Sequence, residues 1–295
     1  MNVLDADLTP GIKQVVAIKM ETMIASAEHL AAMPVIAMKI MRMINDEKTT
    51  AEELAGIVAA DQAIAARVLR ISNSAYYGFQ RQIKTLTDAT IVLGFESLKS
   101  IVVAASIKEI FRAFGQMGKM LWAQSLGAAL AAGIIAREIK VLHHEEAFLA
   151  GLLIDIGEGI MYQDDPDTFK KVIDQYDDEG RFLDGLERSI YSFTHAELGG
   201  FLLKKWKFPE TLISAATHHH SLAFQNSHEG IITAVASLAN LFCVKQGIGV
   251  RAPRPELCLM NTAANGLLQL GEDRLQDLMN HYTEVYEHDR GLLIE

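Results

Sequence analysis

Apolar residues recur three or four positions apart along most of the chain. Ile36, Ile40 and Met43 form one such set, and Val68 and Ile71 belong to another. This spacing places apolar side chains on one face of an α-helix. No segment alternates apolar and polar residues for long enough to indicate a β-strand. The pattern therefore predicts an all-α protein.

Two short motifs mark the beginnings of predicted helices. Thr50 is followed three positions later by Glu53, and Thr194 by Glu197. In such a capping box the threonine hydroxyl accepts a hydrogen bond from the glutamate N–H, and the glutamate carboxylate accepts one from the threonine N–H. The second box predicts that His195 lies in the first turn of a helix.

The apolar spacing predicts further helices, and two glycines predict a break between them. We expect helices over residues 21–45 and 145–162 and a helical segment over 261–286. Gly115 and Gly118 interrupt the helical pattern, and glycine is a poor helix former. The sequence therefore predicts a boundary between two lobes at these glycines.

Composition limits the classes of partner. The chain has 27 Lys and Arg against 37 Asp and Glu, so its formal net charge is −10. Proteins that bind a nucleic-acid backbone or an anionic membrane usually present a basic surface. We therefore expect neither partner, although the charge leaves a small anionic ligand open.

Cysteine content and hydropathy indicate a cellular location. Cys243 and Cys258 lack the spacing of a metal site and suit a reducing compartment. The first residues do not have the pattern of a secretory signal, and the apolar stretches at 101–107 and 147–156 are too short or too interrupted to span a bilayer. The sequence therefore predicts a cytoplasmic protein.

Three features have the chemistry of a functional site. Asp155 interrupts an apolar run, His195 lies at a helix start, and His218, His219 and His220 form a triplet at a predicted helix end. Imidazole and carboxylate groups are metal ligands when they converge from separate helices. A hydrogen-bonded structural carboxylate and histidines that interact with a helix C-terminus are the alternative interpretations.

Several ordered motifs together resemble the HDOD domain, a relative of the HD and HD-GYP metal-dependent phosphohydrolases. The resemblance extends over about residues 25–245. It depends on motifs in both halves of the chain: Met33-Pro34, Ala51–Ala55, Asp61–Ile64, Ser72–Gly78, Leu93-Gly94, Trp122–Ser125, Ala147–Gly157, Glu187, His195–Gly199, Trp206–Pro209 and His218-His219.

The chain departs from the family pattern at three metal-ligand positions. Where the resemblance implies histidine, histidine and aspartate, this sequence has Gln124, Ile154 and Asn240. Isoleucine cannot ligate a metal, and amides are weak ligands compared with imidazole or carboxylate. The resemblance assigns all three positions, together with Asp155, to one ion of a two-metal centre. We therefore expect that ion's position to be lost.

The residues that the resemblance assigns to the second ion are retained. They are Asp155, His195, His218 and His219, so a half-site for one divalent metal (Fe, Mn, Ni or Zn) is a hypothesis. In the alternative interpretation, these side chains only hydrogen-bond one another and cap helices.

The resemblance also implies an organisation into parts. We expect a two-lobed HDOD fold whose second lobe is a degenerate HD-type helical lobe. The predicted parts are a lead-in helix at 1–24, the HDOD domain at 25–245 with lobes at 25–115 and 119–245, and a C-terminal helical extension at 246–295 that packs on the core.

The function implied is that of a non-catalytic adaptor in bacterial signal transduction, which acts by binding another signalling protein. Hydrolysis by these scaffolds needs metal ions that activate water and stabilise charge on the phosphoryl oxygens, and one of the two positions is lost. A single-metal phosphohydrolase and a sensor of a nucleotide-like ligand are the alternatives. A homo-oligomer is also compatible with the sequence.

Overall fold

The chain was analysed as a computed structural model that describes residues 10–27, 39, 50–141, 144–179 and 183–293. Within these ranges every regular element is helical, which confirms the all-α prediction. The α-helices in chain order are α1 (Pro10–Ser26), α2 (Ala51–Ala59), α3 (Gln62–Ser72), α4 (Leu86–Leu93), α5 (Phe95–Arg112), α6 (Gly115–Glu138), α7 (His144–Leu153), α8 (Ile156–Asp164), α9 (Pro166–Glu179), α10 (Leu183–Tyr191), α11 (His195–Lys205), α12 (Glu210–His218), α13 (His228–Gln246), α14 (Ala263–Leu268) and α15 (Glu272–Leu293).

Both predicted capping boxes are confirmed. Thr50 Oγ1 accepts from the Glu53 N–H at 3.2 Å, and the Glu53 carboxylate accepts from the Thr50 N–H at 3.0 Å. Thr194 and Glu197 make the same pair of bonds at the start of α11. Because a capping box depends only on residues three apart, it is readable from sequence.

In the first part of the chain, one predicted helix lies mostly outside the described residues, and one predicted break lies at a different position. The helix expected over 21–45 lies largely outside the described residues, and α1 crosses the expected boundary after residue 24 and ends at Ser26. The break expected at Gly115 and Gly118 is a turn at 113–114, and both glycines belong to α6. The expectation for Gly118 was wrong because a single glycine is tolerated inside a long, buried helix.

Helix α6 lies at the centre of the fold, where it packs against α7 and α13. A Cβ on Gly151 of α7 would lie 2.4 Å from the Ala128 backbone oxygen, so the two helices approach as closely as backbones allow. By length and composition α6 could cross a membrane, but 89% of its apolar window is buried inside the protein. The apolar character of α6 is therefore that of a core helix.

The C-terminal extension packs on α13 and α6 and also contacts α3. The helical segment expected over 261–286 is present and consists of a 3₁₀ turn followed by α14 and α15. Near the end of α15, Asp289 is fully buried and accepts hydrogen bonds from the Ala75 N–H at 2.8 Å and the Tyr76 N–H at 3.2 Å. One carboxylate thus connects the last helix to the turn that follows α3.

The helix expected over 145–162 is broken at the residue that matters most for the site. Helix α7 ends at Leu153, α8 begins at Ile156, and Asp155 occupies the turn with φ −101° and ψ 17°. A Cβ on Gly157 would lie 2.0 Å from the His195 backbone oxygen. The start of α8 is therefore pressed against the start of α11, which brings Asp155 next to His195.

Candidate metal centre

Three helix ends deliver the candidate ligands to one point. Asp155 lies in the turn between α7 and α8, and His195 is the first residue of α11. His219 and His220 follow the last residue of α12. Since α11 packs against α12 and against α8, these ends are held together by the helix packing.

One atom from each of these four residues converges on a common centre. His195 Nε2 lies 3.3 Å from Asp155 Oδ1, 3.4 Å from His219 Nε2 and 3.2 Å from His220 Nε2, and His219 Nε2 lies 3.2 Å from Asp155 Oδ1. A tetrahedral ion with bonds of about 2.0–2.2 Å separates its ligands by about 3.3–3.6 Å. The spacing of the four atoms fits a coordinated cation.

Hydrogen bonds behind the rings fix which nitrogen faces the centre. His195 Nδ1 lies 2.8 Å from Glu187 Oε2, and His219 Nδ1 lies 2.9 Å from the Ala216 backbone oxygen. A carbonyl or carboxylate only accepts, so both Nδ1 atoms carry a proton, and it is Nε2 of each ring that faces the centre and can offer a lone pair to a cation. This support by a carboxylate or carbonyl is characteristic of metal-bound histidine.

Asp155 Oδ1 completes the donor set. It is buried and has no partner with hydrogen-bond geometry among the described residues, although two imidazole nitrogens lie within 3.3 Å. A carboxylate oxygen that faces nitrogen lone pairs, deep in the protein, is stabilised only by a cation or a proton between them. The residues present therefore fit a divalent metal ion, which they would hold through Asp155, His195, His219 and His220.

The structure corrects the predicted ligand set at one position. His218, expected as a ligand, lies outside the converging group, and His220 takes its place. Helix α12 ends at His218, which is half-buried. The next two residues lie in the turn, and their rings face His195 with centroids 5.4 and 5.1 Å away. The triplet is visible in the sequence, but the residue at which the helix ends is not.

The centre is closed on most sides. His195, Asp155 and His219 are buried, whereas the His220 side chain is 29% exposed. Asp184 Oδ1 lies 3.9 Å from His220 Nε2 at this edge. Solvent therefore reaches the cluster along His220 and Asp184.

Charges in the cluster shift the pKa values of its members. Burial raises the pKa of Asp155, but His195, His219 and Arg251 hold it well below its usual range. Burial lowers the pKa of His195, but Glu187 and Asp155 more than offset this and leave it well above the ordinary value. The pKa of His220 is lowered by burial and by the other two imidazoles. The carboxylates thus favour positive charge beside them, whereas the neighbouring imidazoles disfavour a charge on His220.

Protein groups fill the region around Gln124, where the sequence predicts that the position of a second ion is lost. Gln124 donates from Nε2 to Asp155 Oδ2 at 2.5 Å and lies 3.5 Å from Glu158 Oε2. Ile154 and Asn240 are both buried. The Gln124 amide thus donates a hydrogen bond to Asp155 Oδ2, the oxygen through which the family resemblance would have Asp155 bridge to a second ion.

Two residues of this region were not found from the sequence. Glu158 is fully buried and forms an ion pair with Arg251. Burial raises the pKa of Glu158 to about 7, with Arg251 opposing and Asp155 adding to the shift. An acidic residue three positions after Asp155 in an apolar run was a usable signal for Glu158. No signal in the sequence indicated Arg251, because its partner Glu158 lies 93 residues away along the chain.

Comparison with known proteins identifies the family to which the chain belongs. A family model described as the HDOD domain matches residues 30–222. The crystal structure of an HDOD domain protein with unknown function from Geobacter sulfurreducens superimposes with a TM-score of 0.76 at 25% identity, and the match covers 92% of this chain and 98% of that chain.

More distant matches show the shared fold or part of a longer relative. A Shewanella amazonensis SB2B protein named "Putative phosphohydrolase" has a TM-score of 0.68 at 20% identity, with 92% of this chain and 96% of that chain covered. An uncharacterized protein of Treponema pallidum (strain Nichols) is 21% identical over 224 residues, which are 72% of this chain and 42% of that protein. The chain spans less than half the length of this curated relative. From the match over 30–222, the chain belongs to the HDOD domain family, which is related to the HD phosphohydrolases.

Proposed function

We propose that this protein is a non-catalytic signalling module of the HDOD family that holds one divalent metal ion and acts by binding another signalling protein. The ion is bound by Asp155, His195, His219 and His220 and serves to fix three helix ends relative to one another. When bound, it supplies positive charge at a point where four electron-pair donors meet.

The hydrogen bond from Gln124 to Asp155 Oδ2 carries the non-catalytic part of the proposal. Two-metal hydrolysis needs ions about 3.5–4 Å apart that together hold the attacking and leaving oxygens. Here the oxygen that would bridge to the second ion already accepts a hydrogen bond from the Gln124 amide, and Ile154 offers no ligand atom. The ligands are buried apart from His220, so access for a phosphodiester is narrow.

The test is an assay for hydrolysis on protein of known metal content. Protein loaded with Mn(II) or Fe(II) is incubated with a cyclic dinucleotide and with bis(p-nitrophenyl) phosphate, beside Asp155→Asn as the metal-deficient control. We expect bound metal in the wild type and no turnover above the control. Metal-dependent turnover in the wild type that Asp155→Asn abolishes would overturn the proposal.

A single-metal phosphohydrolase is the second candidate, and the partly exposed edge at His220 is the observation that favours it. One ion can lower the pKa of a bound water without a partner ion. This candidate predicts turnover that rises in proportion to bound metal up to one ion per chain. Full metal occupancy without turnover of either substrate would exclude it for these substrates.

A further inference from the structure

The loop after α13 closes over the lost metal position. Gly249 in this loop has φ +113°, a conformation that other residues rarely adopt. A Cβ at Gly249 would lie 2.4 Å from Gln124 Oε1 and 2.7 Å from Gln124 Cβ. The loop backbone is therefore in direct contact with the glutamine that replaces a metal ligand.

Two residues further on, the same loop inserts a cation. The Arg251 side chain is 4% exposed, and its guanidinium pairs with Glu158 Oε1. The other oxygen of Glu158 lies 3.5 Å from Gln124 Nε2, which donates to Asp155 Oδ2. A continuous series of contacts thus joins Arg251 to the oxygen of Asp155 that faces away from the histidines.

The buried charges around the centre indicate what this guanidinium does. Asp155, Glu158 and Glu187 are three carboxylates with exposed fractions of 4% or less. Imidazoles that coordinate a metal ion are neutral and add no charge, arginine stays protonated under all ordinary conditions, and the ion pair with Arg251 favours the ionised form of Glu158. One guanidinium and one divalent ion together balance three negative charges. Buried charges that lack this balance are costly.

We propose that Arg251 is a built-in cation that takes the place of the second metal ion and limits the centre to a single divalent ion. The inference rests on the proposed function, since it takes the first ion as bound. It makes the C-terminal extension part of the centre. A guanidinium can neutralise the carboxylates, but it has no open coordination position at which water is activated.

The test is calorimetric titration of metal-stripped full-length protein with MnCl₂, since Mn(II) accepts both imidazole and oxygen ligands. Wild type is expected to bind one ion per chain. Arg251→Lys keeps the positive charge and is also expected to bind one. Arg251→Gln removes the charge and shortens the side chain, so a second ion is expected to displace the Gln124 amide from Asp155 Oδ2 and to bind between that oxygen and Glu158, which gives two per chain.

The outcomes separate this inference from the proposed function. If wild type binds no ion, the proposed metal centre is wrong. If wild type and Arg251→Gln both bind one ion, the metal centre stands and the role of Arg251 is wrong.

Should Arg251→Gln not fold, Glu158→Gln decides. It leaves Arg251 without its buried partner, so the excess positive charge is expected to weaken binding of the first Mn(II) by about tenfold or more, although Glu158 is not a ligand of that ion. Unchanged affinity in this variant overturns the inference.

Discussion

Glu187 fixes the tautomer of His195, and a glutamine at this position tests whether that tautomer serves a metal ion. The carboxylate lies 2.8 Å from His195 Nδ1 and accepts from the His195 backbone N–H at 2.9 Å. In Glu187→Gln the amide oxygen keeps the backbone bond, which leaves the NH₂ group facing Nδ1. This donor takes the place of Oε1, 2.9 Å from Nδ1, and disfavours a proton on Nδ1; the ring proton therefore shifts toward Nε2, where it blocks the lone pair that faces the cluster.

The size of the effect follows from burial. Loss of the partner behind a metal-bound histidine typically weakens metal binding by about 10–100-fold, which is about 1.4–2.7 kcal/mol. Both side chains are buried, with His195 at 0% and Glu187 at 1% exposure, so water cannot replace the lost carboxylate. We therefore expect the dissociation constant for Mn(II) or Zn(II) to rise by about 100-fold, the upper end of that range.

The assay is competition with a chromophoric chelator at fixed pH, with circular dichroism to show that the variant is folded. Glu145→Gln is the matched control, because Glu145 is also a buried carboxylate and accepts from Ser97 Oγ at 2.8 Å, but it is not part of the cluster. The control is expected to bind metal as the wild type does. Unchanged affinity in Glu187→Gln would refute the tautomer argument.

Three further predictions test the ligand set and the fold. His220→Ala is expected to weaken metal binding by at least about tenfold, whereas His218→Ala leaves it unchanged; equal effects of the two in calorimetry would contradict the corrected ligand set. Asp289→Ala leaves two backbone N–H groups without their partner and is expected to lower the free energy of unfolding in urea by about 2–4 kcal/mol; an unchanged urea midpoint would count against that role. Gly157→Ala places a Cβ 2.0 Å from a backbone oxygen and is expected to cost about 1–3 kcal/mol. Gly185→Ala in α10 is the control, because a Cβ there meets nothing within 4 Å, and it is expected to raise the free energy of unfolding by about 0.5–1 kcal/mol. If Gly157→Ala does not lower the free energy of unfolding relative to Gly185→Ala, the α8–α11 approach is not tight.

Features that depend on neighbouring residues were predictable from the sequence. The capping boxes at Thr50 and Thr194 need only the residue three positions ahead, and the structure contains both. The all-α architecture follows from a periodicity repeated along the whole chain. Asp155 and His195 were identifiable because a carboxylate within an apolar run and a histidine in a first helical turn are unusual.

Features set by tertiary contact were not predictable. Whether His218 or His220 joins the cluster depends on where α12 ends, a difference of one or two residues that decides which side chains lie in the turn. The apolar pattern over 145–162 does not show the break at Asp155, which depends on the close approach of Gly157 to α11. Arg251 reaches Glu158 only because the loop after α13 folds back over α8.

The metal content of the purified full-length protein tests the central claim most directly. Elemental mass spectrometry of protein prepared without chelators gives moles of each divalent metal per mole of chain. The proposed centre predicts one divalent ion per chain in the wild type and its loss in His220→Ala, while His218→Ala retains it. No bound metal, two ions per chain, or one ion that persists without His220 would contradict the proposal.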